Sequence, residues 1–386
     1  MGKKFSRQKT GGGATRKGNA YEASNESTSE ETMAANSGGA NKIGSTIDME
    51  CHHSDAINCL GINSKQTDRL EVYTCSDDKT AIVHQWLRND NIKAEAKGNL
   101  PIVAKWHGHK RAVNKVMQGV NETFFTCSRD LTIKQWKKDS ETAVSTLEGH
   151  TLTISALAER TDGSALASGS RDTTVRIWDP VASKEVVKNT TSRNLVTCLQ
   201  WLPSNSSILA QGSEDLKLRL WDVRSGIMKA SCTYSGYVYF PLCMDISRDG
   251  HLLMTGSKGF NSVGCEIRIW DLRMNKQMLE LRGHDQDVKE CFFLRFGDGK
   301  TRIISGSKDK TIRVWDINKY NAENDYVTNS SSCLLTEYYM YGDGAFTCMA
   351  VADAKDGAID SVDVMYSIAD MDGKPNIYAT KMTSEC

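Results

Sequence analysis

The chain of 386 residues balances 48 Lys and Arg against 48 Asp and Glu, so no net field draws it to nucleic acid or to acidic partners. Thirty Gly against five Pro suits a protein of many tight turns, and no apolar run approaches the ~18 to 20 residues of a membrane-spanning helix. Twelve Cys occur without a single Cys-x-x-Cys pair and without an apolar signal segment behind the basic N-terminus, which points to the cytoplasm rather than to a disulfide scaffold or a zinc site.

Residues 1–45 are Gly, Ser, Asn, Thr and charge with almost nothing apolar to bury, and are expected to be disordered. Gly2 follows the initiator Met and Ser6 lies four residues on, the pattern of an N-myristoylation site. Lys3, Lys4, Arg7, Lys9, Arg16 and Lys17 precede the first acidic residue, Glu22. One acyl chain holds a bilayer only marginally, and each nearby Lys or Arg adds ~1 kcal/mol at an anionic leaflet. The tail is therefore read as a lipidated membrane contact through Gly2, Lys3, Lys4, Arg7 and Lys9.

Seven units follow. The first holds His53, an apolar run from Ala56 to Leu60, and Thr74 to Trp86 around the turn Ser76-Asp77-Asp78-Lys79-Thr80. The second runs from Gly108-His109 to Trp136 through Arg129-Asp130. The third, Gly149 to Asp179, shows the pattern best: a short strand from Thr153, a turn at Asp162-Gly163, a strand from Ala165 to Gly169, a polar turn and the strand Val175 to Trp178. The fourth spans Leu195 to Asp222, the fifth Val238 to Asp271 and the sixth Gly283 to Asp316. An outer strand is expected around Cys333 to Tyr339. The seventh unit has no Trp and reads as strands Ala345 to Ala352, Val362 to Ala369 and Pro375 to Met382. A three-stranded unit cannot bury its own faces and must stack on copies of itself.

Trp136, Trp178, Trp221, Trp270 and Trp315 recur every 42 to 49 residues, with Gly-His before and Trp-Asp after in the better units. This pattern resembles the WD-repeat family of β-propellers over about residues 46–386. The resemblance implies an all-β, seven-bladed propeller, with a fourth strand after each Trp-Asp and ring closure by an N-terminal strand at about 45–51. Cys59, Cys198, Cys243 and Cys348 share the phase of Ala156 and read as small core residues.

The recurring His, Asp, Ser or Thr, and Trp could pass for catalytic triads. They number one per unit, however, and a buried network satisfies these groups mutually. His109, Asp130 and Trp136, then His150, Asp172 and Trp178, then Asp215 and Trp221, then His284, Asp309 and Trp315 are therefore read as structural, with Ser168 or Ser170 and Ser305 or Ser307 supplying the hydroxyl. Unit one places His84 where the Trp belongs, which puts its network in question. Gly297 to Thr301 lacks the first Gly of a phosphate loop, and His52-His53 has no partners at metal-ligand spacing. No catalytic residue, metal, cofactor or small-molecule substrate is expected.

Function should lie where the units differ. Ser to Trp across the second turn is 8 residues in units two, three, four and six, but 13 in unit five, where Lys258 to Glu266 replaces the turn. Tyr237, Tyr239 and Phe240 stand where Gly-His would be. Tyr237, Phe240, Lys258 and Phe260, with the basic turn residues Arg129 and Arg171 and with Arg193 near the entrance of unit four, form the expected protein-binding rim. The stretches Ser192 to Pro203, Ser213 to Asp222 and Gly259 to Arg273 are similar to the family of WD repeat-containing protein 31, which implies a non-enzymatic adaptor in ciliary membrane traffic. The alternative is a substrate receptor of a cullin ubiquitin ligase, because Trp221 to Arg224 and Trp270 to Arg273 resemble the Trp-Asp-x-Arg motif that docks the ligase adaptor.

Overall fold

The computed structural model describes residues 46–63, 69–87, 98–190, 195–295, 300–319, 332–352 and 361–383. The tail of residues 1–45, with Gly2 and its basic cluster, lies outside the described residues. Among the described residues, 28 strands form seven antiparallel four-stranded sheets. The fold is a seven-bladed β-propeller.

The innermost strands of blades one to seven are Ile57–Asn63, Val113–Gln118, Ile154–Glu159, Val196–Leu202, Pro241–Ile246, Val288–Arg295 and Ala345–Val351. Each touches the next, and the seventh returns to the first. All seven slip register near their start against the neighbouring strand, at Asn58, Asn114, Ser155, Thr197, Leu242, Lys289 and Thr347. Such a bulge re-aims the side chain out of the regular pleat. In blades one to three it aims a donor at the next blade: Asn58 to the Val113 carbonyl at 2.9 Å, Asn114 to Ile154 at 2.7 Å and Ser155 to Val196 at 2.5 Å.

Seven apolar layers lie between consecutive blades. Trp136 of blade two, for example, packs with Trp106 and Val83 of blade one, and Trp178 of blade three with Phe125 and Leu147 of blade two. The expected small cysteines fit this arrangement: Cys198, Cys243 and Cys348 are buried, while Cys59 is half-buried beside the channel.

Closure occurs within blade seven. Ile47–Met49 pairs antiparallel with Pro375–Thr383, setting Ile47 opposite Ala379 and Met49 opposite Ile377. Met49 is 1% exposed and packs with Leu60, Trp86 and Leu100 of blade one as well as with Ile377 and Ala379. One side chain thus joins the two ends of the ring. The outer strand of blade six is Leu334–Tyr339, and blade seven is completed by Ala345–Val351 and Ser361–Ala369.

Met49→Ala is expected to cost about 2–5 kcal/mol, in line with truncation of a buried Met. A urea unfolding midpoint equal to that of the unaltered chain would refute this role for Met49.

Candidate functional site

On one face of the ring, the loop entering each blade meets the turn between its second and third strands. In blades one, two, three and six the non-Gly residues Lys79, Leu131, Thr173 and Lys310 hold φ of 72°, 74°, 67° and 64°. Such a backbone costs ~1 kcal/mol or more and needs to be held by its surroundings. Here the preceding Asp accepts from the following Thr N–H, at 2.9 to 3.1 Å, and the Ser that opens the turn accepts from the Asp N–H, at 3.0 to 3.2 Å.

The expected networks fall beneath these turns as directional relays. Trp178 Nε1 donates to Ser168 Oγ (2.8 Å), Ser168 donates to His150 Nε2 (2.7 Å), and His150 Nδ1 donates to Asp172 Oδ2 (2.8 Å). Trp136, Thr126, His109 and Asp130 repeat this at 2.8, 2.7 and 2.9 Å, and Trp315, Ser305, His284 and Asp309 at 3.0, 2.8 and 2.9 Å. Of the two candidate serines, Ser168 and Ser305 carry the relay, while Ser170 and Ser307 tie the turn to the entrance loop. Burial opposes ionisation of Asp130, Asp172 and Asp309, yet hydrogen bonds from the imidazole and the Thr hold each carboxyl well below its usual range. Ser168 and Ser305 are fully buried, and each already serves both an indole and an imidazole, so neither hydroxyl is presented to a substrate.

Four blades depart from this form, blade seven by having no Trp in it. Blade one keeps its relay, since His53 bonds Asp78 at 2.9 Å and Thr74 at 2.8 Å, and His84 stands 3.5 Å from Thr74 in place of the Trp. In blade four, Asp215 does not join Trp221; it pairs with Arg219, and Trp221 donates to Gln211 at 2.8 Å. In blade five, Tyr237 is 5% exposed and its hydroxyl accepts from Trp270 at 3.0 Å and bonds Thr255 at 2.9 Å. Tyr237 therefore replaces the missing His and does not belong to the expected partner-binding rim. Its shielding follows from the indole: Trp270 N–H has no Ser or His to serve it. In blades one to four and six the hydroxyl or amide serving the aromatic position lies ten residues before it, so Gln211 and Thr74 were findable by spacing.

The rewritten fifth turn forms its own small hairpin. Phe260 and Val263 exchange backbone hydrogen bonds at 3.0 and 3.1 Å across Asn261 and Ser262, whose φ of 50° and 62° suit a tight two-residue turn. It leans on the entrance of blade six: Ser262 N–H donates to the Asp285 carbonyl at 3.1 Å and Gly259 N–H to Asp287 Oδ1 at 3.1 Å. Tyr239 packs over Gly264, where a Cβ would lie 2.2 Å from the ring. The outcome is an exposed apolar patch of Val238, Tyr239, Phe260 (65% exposed) and Val263. Lys258 lies beside it, 5.1 Å over the half-buried Phe240 ring. Arg171 is exposed, Arg129 is half exposed and 3.6 Å from Asp77 of the adjacent blade, and Arg193 lies outside the described residues.

Residues 101–137, 141–179, 184–222 and 275–316 match the WD domain, G-beta repeat family, each match running from the outer strand of one blade through the three inner strands of the next. The chain belongs to the WD-repeat family. It is 31% identical over 287 residues to nuclear distribution protein nudF of Aspergillus flavus, covering 69% of this chain and 59% of that protein. It is 27% identical over 291 residues to the ribosome biogenesis protein WDR12 homolog of Drosophila mojavensis, covering 70% and 65%, and 23% identical over 225 residues to the periodic tryptophan protein 2 homolog of Dictyostelium discoideum, covering 56% and 23%. This WD-repeat chain thus spans less than two thirds of these relatives. WD-repeat propellers are in general scaffolds for protein interaction, and among the described residues no helix is long and apolar enough to cross a membrane.

Burial pushes His84 down to about 4, against an unfolded value near 6.5, so the unfolded chain takes up this proton first and stability falls as pH drops from about 6.5 toward 4. His84→Gln is expected to flatten, though not remove, the decline of melting temperature across that window, because burial also lowers the pKa of His284. Parallel melting curves of the two proteins at pH 7.5 and 4.5 check this; equal declines would contradict it.

Proposed function

We propose that this protein is a non-catalytic scaffold that takes a protein partner on the rim of blade five and a membrane surface on its N-terminal tail. The observation that carries the partner half is the patch of Val238, Tyr239, Phe260 and Val263, which is built around the longest of the seven turns between second and third strands. Rigid aromatic and aliphatic side chains beside a cation are the composition of an interface anchor. The likeness to proteins named for nuclear distribution and for ribosome biogenesis supports a shared binding platform rather than a shared process. The tail supports the membrane half through Gly2, Ser6 and the basic residues Lys3, Lys4, Arg7 and Lys9. Similarity to the family of WD repeat-containing protein 31 favours a cytoplasmic, membrane-associated adaptor of ciliary traffic.

A second reading, docking to a cullin-ligase adaptor, draws support from Arg224 and Arg273, whose side chains are 69% and 63% exposed while each pairs with the Asp of its own Trp-Asp, Asp222 or Asp271.

Proximity labelling with the full chain, with Phe260→Asp and with an Arg224→Ala, Arg273→Ala double variant separates the two. Phe260→Asp is expected to lower recovery of specific partners at least tenfold at unchanged melting temperature. Recovery unaffected by Phe260→Asp, together with a ligase adaptor lost from the double variant, would transfer the assignment to the second reading. For the tail, Gly2→Ala is expected to shift the chain from the membrane to the soluble fraction and to remove a myristoyl mass from the N-terminal peptide. An unmodified peptide in the natural sequence would exclude the lipid anchor.

A further inference from the structure

The residue after the bulge on each inner strand gives a ring of seven equivalent positions: Cys59, Lys115, Ala156, Cys198, Cys243, Glu290 and Cys348. Five are small. The other two carry the only ionisable groups of ordinary acid and base type in the ring, from blades two and six.

Lys115 and Glu290 both line a cavity of about 470 Å³ in the central channel, and both also line a smaller one of about 140 Å³ that continues it. The larger volume lies within the ~300 to 1,000 Å³ of small-molecule sites. Its lining sets half-buried Ile62, Met117, Phe292 and Val351 beside the polar Glu159, Thr161, Gln200 and Arg248. Among the described residues, neither the Lys115 ammonium nor the Glu290 carboxyl makes a hydrogen bond or an ion pair.

Their charge states differ. Burial pushes the Glu290 carboxyl up to about 8 despite the pull of Lys115, so near neutral pH it is mostly protonated and can donate. Burial also works against the Lys115 ammonium, but Cys59 and Glu290 outweigh it and its pKa is raised. Two donors, one of them cationic, therefore face the cavity; Lys115 shares it with the Cys59 thiol, which the Cys75 thiol lowers to about 6, and neither donor is hydrogen-bonded among the described residues. A carboxylate bearing an apolar body fits both features, because its oxygens can accept from Lys115 and Glu290 while its chain covers the walls.

We propose that the central channel is a binding site for a free, medium-chain amphipathic carboxylate, held at its head by Lys115 and Glu290 and along its chain by Ile62, Met117, Phe292 and Val351. The site is separate from the rim of blade five.

The experiment is calorimetric titration of the full chain with decanoate, octanoate and decanol, repeated on Lys115→Met and on Met117→Trp, with each variant's cooperative melting verified. Saturable one-to-one binding of decanoate is expected, weaker for octanoate and at least tenfold weaker for uncharged decanol. Lys115→Met should weaken decanoate about ten- to hundredfold, as expected for a hydrogen bond to a charged group, and leave decanol unchanged. Met117→Trp, which narrows the wall, should weaken both. Decanoate binding no tighter than decanol in the unaltered chain would overturn the proposal without recourse to any variant. Decanoate binding that survives Lys115→Met, as attachment to the basic tail would, overturns it as well.

Discussion

Every blade of this protein depends on apolar surface that belongs to its neighbour. A twisted four-stranded sheet has two faces and its own four strands cover neither, so the burial that offsets chain entropy is found between blades. The seven apolar layers are each shared, and none can be lost without uncovering two sheets. In blades one to three the bulge in the inner strand serves the same end. It turns Asn58, Asn114 and Ser155 out of their own sheet and onto the next blade's carbonyls, fixing register between blades as well as within them.

Beneath the turns, one requirement is met in several chemical ways. An indole N–H buried in an interblade layer without an acceptor costs ~1–3 kcal/mol. Blades two, three and six give it a hydroxyl backed by His and Asp, blade four gives it the Gln211 amide, and blade five gives it the Tyr237 phenol. Blade one places His84 there instead, and leaves the indole N–H of its Trp86, buried in the layer shared with blade seven, without a partner. This tolerance explains why the repeats diverge in sequence while keeping the same sheet, and why a His, a Ser and an Asp in contact here are a structural device.

The periodic Trp, the turn residues and the small first-strand positions made the propeller readable, and the closing strand was placed within two residues of Ile47–Met49. Those signals are local and repeated. Tyr237 was misread because a Tyr beside Gly looks the same in sequence whether it points to solvent or to Trp270; only the partnering of the indole decides it. Lys115 and Glu290 escaped notice for a related reason. Each is an ordinary charged residue in its own strand, and their relation exists only once seven strands, spread along the chain from Ile57 to Val351, are drawn into one ring. The length of the fifth turn was legible, whereas its lean onto Asp285 and Asp287 was not.

The pairing of Ile47–Met49 with Pro375–Thr383 also sets a schedule for biosynthesis. A ribosome delivers the first partner more than 300 residues before the second, a gap on the order of tens of seconds at ~5–20 residues per second. During that interval the early blades form an open arc with an uncovered sheet at each end, and the Met49 side of blade one has nothing from blade seven to pack against. Such an arc is sticky in the way unpaired sheets are. The nascent chain is therefore a natural client for chaperones until its last strand emerges, and a premature stop anywhere in blade seven removes more than one blade's worth of stability because it leaves blade one uncovered too.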